Sequence, residues 1–199
     1  MIVALVLAAG GSTRMGRPKQ LLPYGGGTLL EAALAPYLAA PSVDRVIVVV
    51  GCRAGEVAAA VPQGDRVDIV RNPRWALGMA SSIRCGVRAV APDAGAILLG
   101  LGDQPRVTTA AVERVVAAWR AGRPRPPIVI PMCAGRRGHP VLFDRALRAE
   151  LTGLRGDRGA RAVVERHAAG LVLAKVRCPG ILQDVDTPAE YDALRERAS

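Results

Sequence analysis

Residues 3–26 read VALVLAAGGSTRMGRPKQLLPYGG. An apolar run stops at Gly10 and Gly11, and Arg14, Arg17 and Lys19 arrive within the next ten residues, with Pro18 just before the lysine. The run has the character of a buried strand, and a glycine turn after such a strand lets backbone N–H groups approach an anion closely. Ser12 and Thr13 add hydroxyl donors, and the three cations bring formal charge to the same spot. The turn matches neither standard phosphate loop. Gly11 and Gly16 have P-loop spacing but Arg17-Pro18 follow where Lys-Ser/Thr belongs, and Gly10, Gly11 and Gly16 do not form GxGxxG. By itself the segment is equally compatible with an ordinary strand-to-helix turn on a basic surface.

Working outward, further apolar runs at 45–50, 67–70, 96–101, 127–130 and 171–176 join the first, at 2–7. Helical stretches lie between them at 28–39, 54–61, 79–90, 109–121 and 160–168. Near-continuous apolar strands separated by amphipathic helices predict a Rossmann-like, mostly parallel sheet with helices on both faces. Right-handed crossovers then bring the loops after each strand to one edge, where such sheets bind ligands. Thr28-Leu-Leu-Glu31 and Thr187-Pro-Ala-Glu190 both match the capping box, the second with proline at the first helical position. The segment 121–127 reads as a rigid connector, and 133–143 as a turn within a small β-hairpin insertion. A single domain over 1–199 is expected.

Composition narrows the function classes. A chain of 199 residues can bury roughly 70% of its unfolded surface. Hydrophobic residues make up 50% and aromatics 3%, so the core is expected to be Val, Leu, Ile and Ala. No apolar run approaches the ~20 residues of a membrane helix, and the first residues lack a basic leader region, so a cytoplasmic protein without membrane contact is expected. Cys52, Cys85, Cys133 and Cys178 are scattered, with two histidines to join them, which favours reduced thiols over a metal or disulfide framework. The net charge is +10, yet Lys19 and Lys175 are the only lysines, the arginines are dispersed and six aromatics are present. That pattern favours a solvated arginine-rich surface and a small polyanionic ligand over nucleic acid.

Two acidic features strengthen the polyanion reading. AILLGLGDQPRV ends a buried strand with Gly102-Asp103, where an aspartate is well placed to hold Mg²⁺. LQDVDTPAEY places Asp184 and Asp186 on one face of an extended segment just before a capped helix. Turn or helix capping is the competing role for both groups, nearly level in the case of Asp184. A cationic loop with separate carboxylates describes nucleoside triphosphate–magnesium chemistry.

LAAGGSTRMGRPKQLLP, GMASSIRCG, GDQP, GHPVLF, GDRGAR and DVDTPAEY occur here in the order seen in the molybdenum cofactor cytidylyltransferases. The chain resembles that branch of the MobA-like NTP transferases from about Val3 to Tyr191. The resemblance implies a nucleotide-diphospho-sugar transferase-like fold and transfer of CMP from CTP to the phosphate of a molybdopterin-type cofactor, with Mg²⁺ as cofactor. Carried over residue by residue, Leu7, Ala8, Ala9, Gly10, Gly11, Ser12 and Thr13 would contact nucleotide and phosphates. Arg14 and Lys19 would neutralise the triphosphate, Asp103 and Asp186 would coordinate the metal, and the segment 78–82, including Gly78 and Ser82, would face base and ribose. His139, Arg71 and Arg158 would meet the acceptor; ordering a hairpin turn is the competing role for His139, which the resemblance slightly disfavours, and a surface position suits Arg71 equally. Asp157 is expected to cap a helix. The sequence LAAG, where the related guanylyltransferases usually carry LAGG, adds a methyl at Ala9 that suits a pyrimidine; a methyl is worth only ~1–3 kcal/mol of discrimination.

As partners the resemblance implies CTP, the molybdopterin-type acceptor and transient contact with a molybdoenzyme or its maturation chaperone. The same chemistry on another nucleotide or phosphorylated acceptor (a sugar phosphate or methylerythritol phosphate) and a non-catalytic carrier of the finished cofactor stay open. The missing dinucleotide fingerprint speaks against hydride transfer.

Overall fold

The computed structural model describes residues 1–196. In chain order the elements are β1 (Ile2–Ala8), a two-residue hairpin of β2 (Pro23–Tyr24) and β3 (Gly27–Thr28), α1 (Leu29–Ala39), β4 (Arg45–Val50), α2 (Ala54–Ala59), β5 (Val67–Arg71), α3 (Met79–Ala89) and β6 (Ala96–Leu101). Then come α4 (Thr109–Ala121), β7 (Ile128–Cys133), β8 (Arg136–Arg137), β9 (Val141–Asp144), α5 (Arg148–Thr152), α6 (Arg161–Arg166), β10 (Val172–Lys175) and α7 (Pro188–Glu196). The main sheet runs β10-β7-β9-β6-β1-β4-β5, with β8 paired to β7. Along that path every pairing is parallel except those of β9, which runs against both β6 and β7.

Side chains of one strand alternate between faces, and β1 shows the consequence. Ile2, Ala4, Val6 and Ala8 pack on one face against Leu30, Leu34 and Tyr37 of α1, Val57 of α2 and Val112 and Trp119 of α4. Val3 and Leu5 pack on the other, in a cluster with Ile83 and Val87 of α3, Leu151 of α5 and Phe143 of β9. A strand buried on both faces reads as a continuous apolar run because neither face meets water. Burying each Leu or Ile fully contributes about 1.5–3 kcal/mol. Close approach of α3 to the sheet depends on Gly86: a Cβ there would lie 2.2 Å from Leu5 Cδ1 and 2.8 Å from Val49 Cγ2.

Both expected capping boxes form. Thr28 Oγ1 accepts from Glu31 N at 3.2 Å while Glu31 Oε2 accepts from Thr28 N at 2.6 Å. At α7, Thr187 Oγ1 accepts from Glu190 N at 3.3 Å and Glu190 Oε2 accepts from Thr187 N at 2.8 Å.

The region 127–152 departs from the sequence expectation. The strand expected at 127–130 continues to Cys133 and turns through Ala134 (φ 49°) and Gly135 (φ 75°) into β8. Positive φ at both central residues is the hairpin geometry that matches strand twist. The chain then re-enters the main sheet as β9, a central strand that 133–143 had not suggested, and α5 follows before the expected α6. No helix among the described residues is long and apolar enough to cross a membrane.

Candidate active site

The carboxyl ends of β1 and β6 are neighbours because those strands pair in register, Leu7 opposite Leu101. Each strand therefore delivers its following loop to the same edge of the sheet. From β1 comes the glycine turn, in which Ser12 takes a left-handed φ of 52° and its carbonyl accepts from Met15 N and Gly16 N. Ser12 Oγ in turn accepts from Lys19 N at 3.1 Å and donates to Gln20 Oε1 at 3.3 Å. Gln20 is buried, and its amide donates to the carbonyls of Ala8 and Gly10. This side chain staples the end of β1 to the start of the turn. Sequence reasoning passed over it; its position directly after Lys19 in RPKQLLP was the available signal.

The loop after β6 supplies Asp103, and the segment before α7 supplies Asp186. Lys19 Nζ lies 2.5 Å from Asp103 Oδ2 and 2.6 Å from Asp186 Oδ1, and Arg14 Nη2 lies 2.6 Å from Asp186 Oδ2. A backbone bond from Val185 N to Asp103 O, at 3.1 Å, ties the two acidic segments together. Burial, the strongest single influence on Lys19, pulls its pKa down, but Asp103 and Asp186 outweigh it and the net shift is upward. The ammonium therefore stays charged. Asp103 is pushed up from the ordinary carboxylate value by burial, with Asp184 and Asp186 adding to the rise against the opposing pull of Lys19. Asp186 is also burdened by burial, but its bonds to Lys19 and Arg14 prevail and hold it below the usual range. One carboxylate is thus satisfied and the other is held at a cost.

These groups line a cleft of about 400 Å³. Of the residues expected from sequence, Leu7, Ala9, Gly10, Gly11, Arg14, Lys19, Gly78, Ser82, Asp103 and Asp186 border it. Ser12 and Thr13 border an adjoining smaller pocket, together with Gly10, Gly11 and Arg17. Ala8 turns its side chain into the core and offers only its carbonyl, to Gln20. Arg71, His139 and Arg158 do not border the cleft. Arg158 pairs with Glu165 at 3.0 Å. His139 is half-buried, its imidazole pKa pushed down by burial and raised by the charge of Asp184, which does border the cleft.

The far wall is the short helical turn Trp75–Leu77 followed by Gly78 and α3. Buried Asn72 holds this wall, donating to Ser81 Oγ and Ser82 Oγ at 2.9 and 3.0 Å. Asp157 does act as a helix cap, but for α3 and not for the helix that follows it, accepting from Met79 N at 2.9 Å. Gly78 has φ 92°, and a Cβ there would stand 2.5 Å from Asp157 Oδ1, so both backbone freedom and space exclude larger residues. Asp157 and Trp75 were not expected at the cleft.

The carboxylates suit a hard divalent cation. Asp103 Oδ1 is buried without a hydrogen-bond partner among the described residues. No group of three or more His, Cys, Asp or Glu among the described residues is arranged to hold a metal. A pair of carboxylates fits Mg²⁺, which typically takes one or two from protein and completes its shell with substrate phosphates and water.

Comparison with known proteins identifies the family. The chain is 35% identical to nicotine blue oxidoreductase of Paenarthrobacter nicotinovorans, over 94% of this chain and 92% of that one. It is 28% identical to the molybdenum cofactor cytidylyltransferase of Escherichia coli K12, over 98% and 96% of the two chains. The crystal structure of Rv0371c from Mycobacterium tuberculosis H37Rv in complex with manganese superposes with a TM-score of 0.78 at 34% identity, covering 98% of this chain and 97% of that one. Residues 4–171 match the model of the MobA-like NTP transferase domain, and the chain belongs to that nucleotidyltransferase family.

Proposed function

We propose that this protein is a CTP-dependent cytidylyltransferase that passes CMP to the phosphate of a molybdopterin-type acceptor and releases pyrophosphate, with Mg²⁺ as cofactor. The observation that carries the reading is the meeting of Lys19, Asp103 and Asp186 at one point beside the glycine turn. Full-length similarity to a molybdenum cofactor cytidylyltransferase supports the acceptor. The methyl of Ala9, 4% exposed on the cleft wall, supports a pyrimidine base.

In this reaction an oxygen of the acceptor phosphate attacks the α-phosphorus of CTP. The bond to the β-phosphate breaks, and its electron pair leaves with pyrophosphate. No covalent enzyme intermediate is required, so the protein contributes position and charge. Lys19 Nζ has three N–H donors, of which two serve Asp103 and Asp186; the third meets an α-phosphate oxygen. Arg14 and the N–H groups of the glycine turn hold the triphosphate, with Ser12 and Thr13 beside it. Gly78 and Ser82 receive base and ribose. Asp103 and Asp186 would hold the metal, which when bound would supply neutralisation of phosphate charge.

The test is a thermal-shift panel of CTP, GTP, ATP and UTP with and without Mg²⁺, followed by pyrophosphate release with CTP and molybdopterin. A nucleotide at 100 times its Kd adds about 2.7 kcal/mol, which raises Tm by roughly 5–10 °C for a chain of this size. CTP with Mg²⁺ should give that shift and the other nucleotides much less. A preference for GTP would overturn the base assignment, and no pyrophosphate with molybdopterin would overturn the acceptor.

A further inference from the structure

Beyond the cleft, a second pocket of about 270 Å³ opens between Arg106, the strip 182–185 and α7. Asp184 borders both cavities, so they adjoin at the acidic end of the site. The second pocket contains one cation, the half-buried Arg106, whose guanidinium has no hydrogen-bond or ion-pair partner among the described residues. The side-chain amide of Gln183, on the same wall, is likewise unengaged. Of the two acidic neighbours, Glu190 is occupied, its Oε2 accepting from Asp186 N and Thr187 N at 2.9 and 2.8 Å. Asp184 is exposed at the junction.

Charge makes this arrangement informative. An attacking phosphate must approach a triphosphate that already carries several negative charges, beside Asp103, Asp184 and Asp186. Arg14 and Lys19 are committed to the carboxylates and, in the proposed reaction, to the nucleotide. The acceptor phosphate needs a cation of its own. Arg106 is the unengaged guanidinium, among the described residues, of the pocket that shares Asp184 with the cleft. It follows Asp103 by three residues, so their Cα atoms are at most about 11 Å apart. From that position the Arg106 side chain borders the second pocket, which shares Asp184 with the cleft. The backbone beneath is fixed: Arg106 O accepts from Cys178 Sγ at 3.5 Å, and a Cβ on Gly180 would lie 1.9 Å from that oxygen.

We propose that the pocket beyond Asp184 is the subsite for the acceptor's phosphate, bound by the guanidinium of Arg106 with the Gln183 amide as a second donor. The assignment rests on the nucleotidyl-transfer reading, which it deepens by naming where the second phosphate sits. Removing a charge-assisted bond of this kind weakens binding about 10- to 100-fold.

The experiment is a calorimetric titration of inorganic phosphate into protein saturated with CTP and Mg²⁺, comparing wild type, Arg106→Ala and Arg106→Lys. Wild type should bind one phosphate, Arg106→Ala should bind it 10- to 100-fold more weakly, and Arg106→Lys should recover part of the loss. Affinity for CTP and melting temperature should not change. Equal phosphate affinity in wild type and Arg106→Ala, no phosphate binding in wild type, or a parallel loss of CTP affinity would each overturn the subsite. Should CTP itself not bind, the cytidylyl reading falls. The same titration without nucleotide then still decides the Arg106 assignment through the same variants.

Discussion

The middle of β1 and the site beyond its carboxyl end make an instructive contrast. Within the sheet, Leu5 is fully buried and its neighbours Ile83 and Val87 fit around it at the distance that Gly86 permits. A few residues further on, the chain crowds Lys19, Asp103 and Asp186 together, leaves Asp103 Oδ1 unpartnered and holds Ser12 in a left-handed conformation. The first region is organised by apolar contact and stabilises the fold. The second accepts desolvation cost to keep charged groups aimed at one point. Substitutions should therefore separate activity from stability according to the region they touch.

The largest separation is expected at Lys19. Lys19→Ala should lower kcat/KM for pyrophosphate release about 10²- to 10³-fold, the scale of losing one preorganised charge-stabilising donor. Steady-state kinetics beside a melting curve checks this, and a loss of stability matching the loss of rate would erase the contrast. In the sheet the opposite holds. Leu5→Ala should cost about 2–5 kcal/mol of stability, read by urea denaturation, while the fraction that remains folded keeps its KM for nucleotide.

A split in sign should distinguish the two carboxylates. Asp103 has a raised pKa in the fold, so its contribution to stability is present below its unfolded value and is lost as pH rises through the folded one. Asp103→Asn relieves that burial cost but also removes the ion pair to Lys19, so at pH 8 it should melt closer to wild type than Asp186→Asn does. Asp186 has a depressed pKa, so its contribution is present above its unfolded value and is lost as pH falls through the folded one. Asp186→Asn should melt lower than wild type at pH 8, and the gap should close in acid. The smallest effect is expected away from both regions, where Ala134 carries φ 49° in the hairpin turn. Ala134→Asn, giving Asn-Gly, should raise stability by about 0.5–1 kcal/mol, measurable by chemical denaturation.

The parts of the molecule that were legible in sequence obey local rules. Strands β1, β4 and β6 are buried on both faces and so appear as unbroken apolar runs. Helices α1 and α7 announce themselves through Thr28-Glu31 and Thr187-Glu190, and α4 spans the expected 109–121. The cationic turn and both acidic segments could be named because each directly follows or precedes such an element. The rest was hidden for identifiable reasons. Val141–Asp144 is four residues long, too short to show a period, although the hairpin turn expected just before it does form, through Ala134 and Gly135. Asp157 caps a helix that begins 78 residues earlier, and Gln20 bonds the carbonyls of Ala8 and Gly10 only once the turn has folded back onto β1.

The central claim is that Asp103 and Asp186 converge with Lys19 to hold a metal-bound triphosphate. Its most direct test is calorimetric binding of CTP, with and without Mg²⁺, to wild type and to Asp103→Asn. Wild type should bind CTP at least tenfold more tightly with Mg²⁺ than without, and the folded Asp103→Asn variant should lose that difference. An undiminished Mg²⁺ dependence in Asp103→Asn would contradict the account.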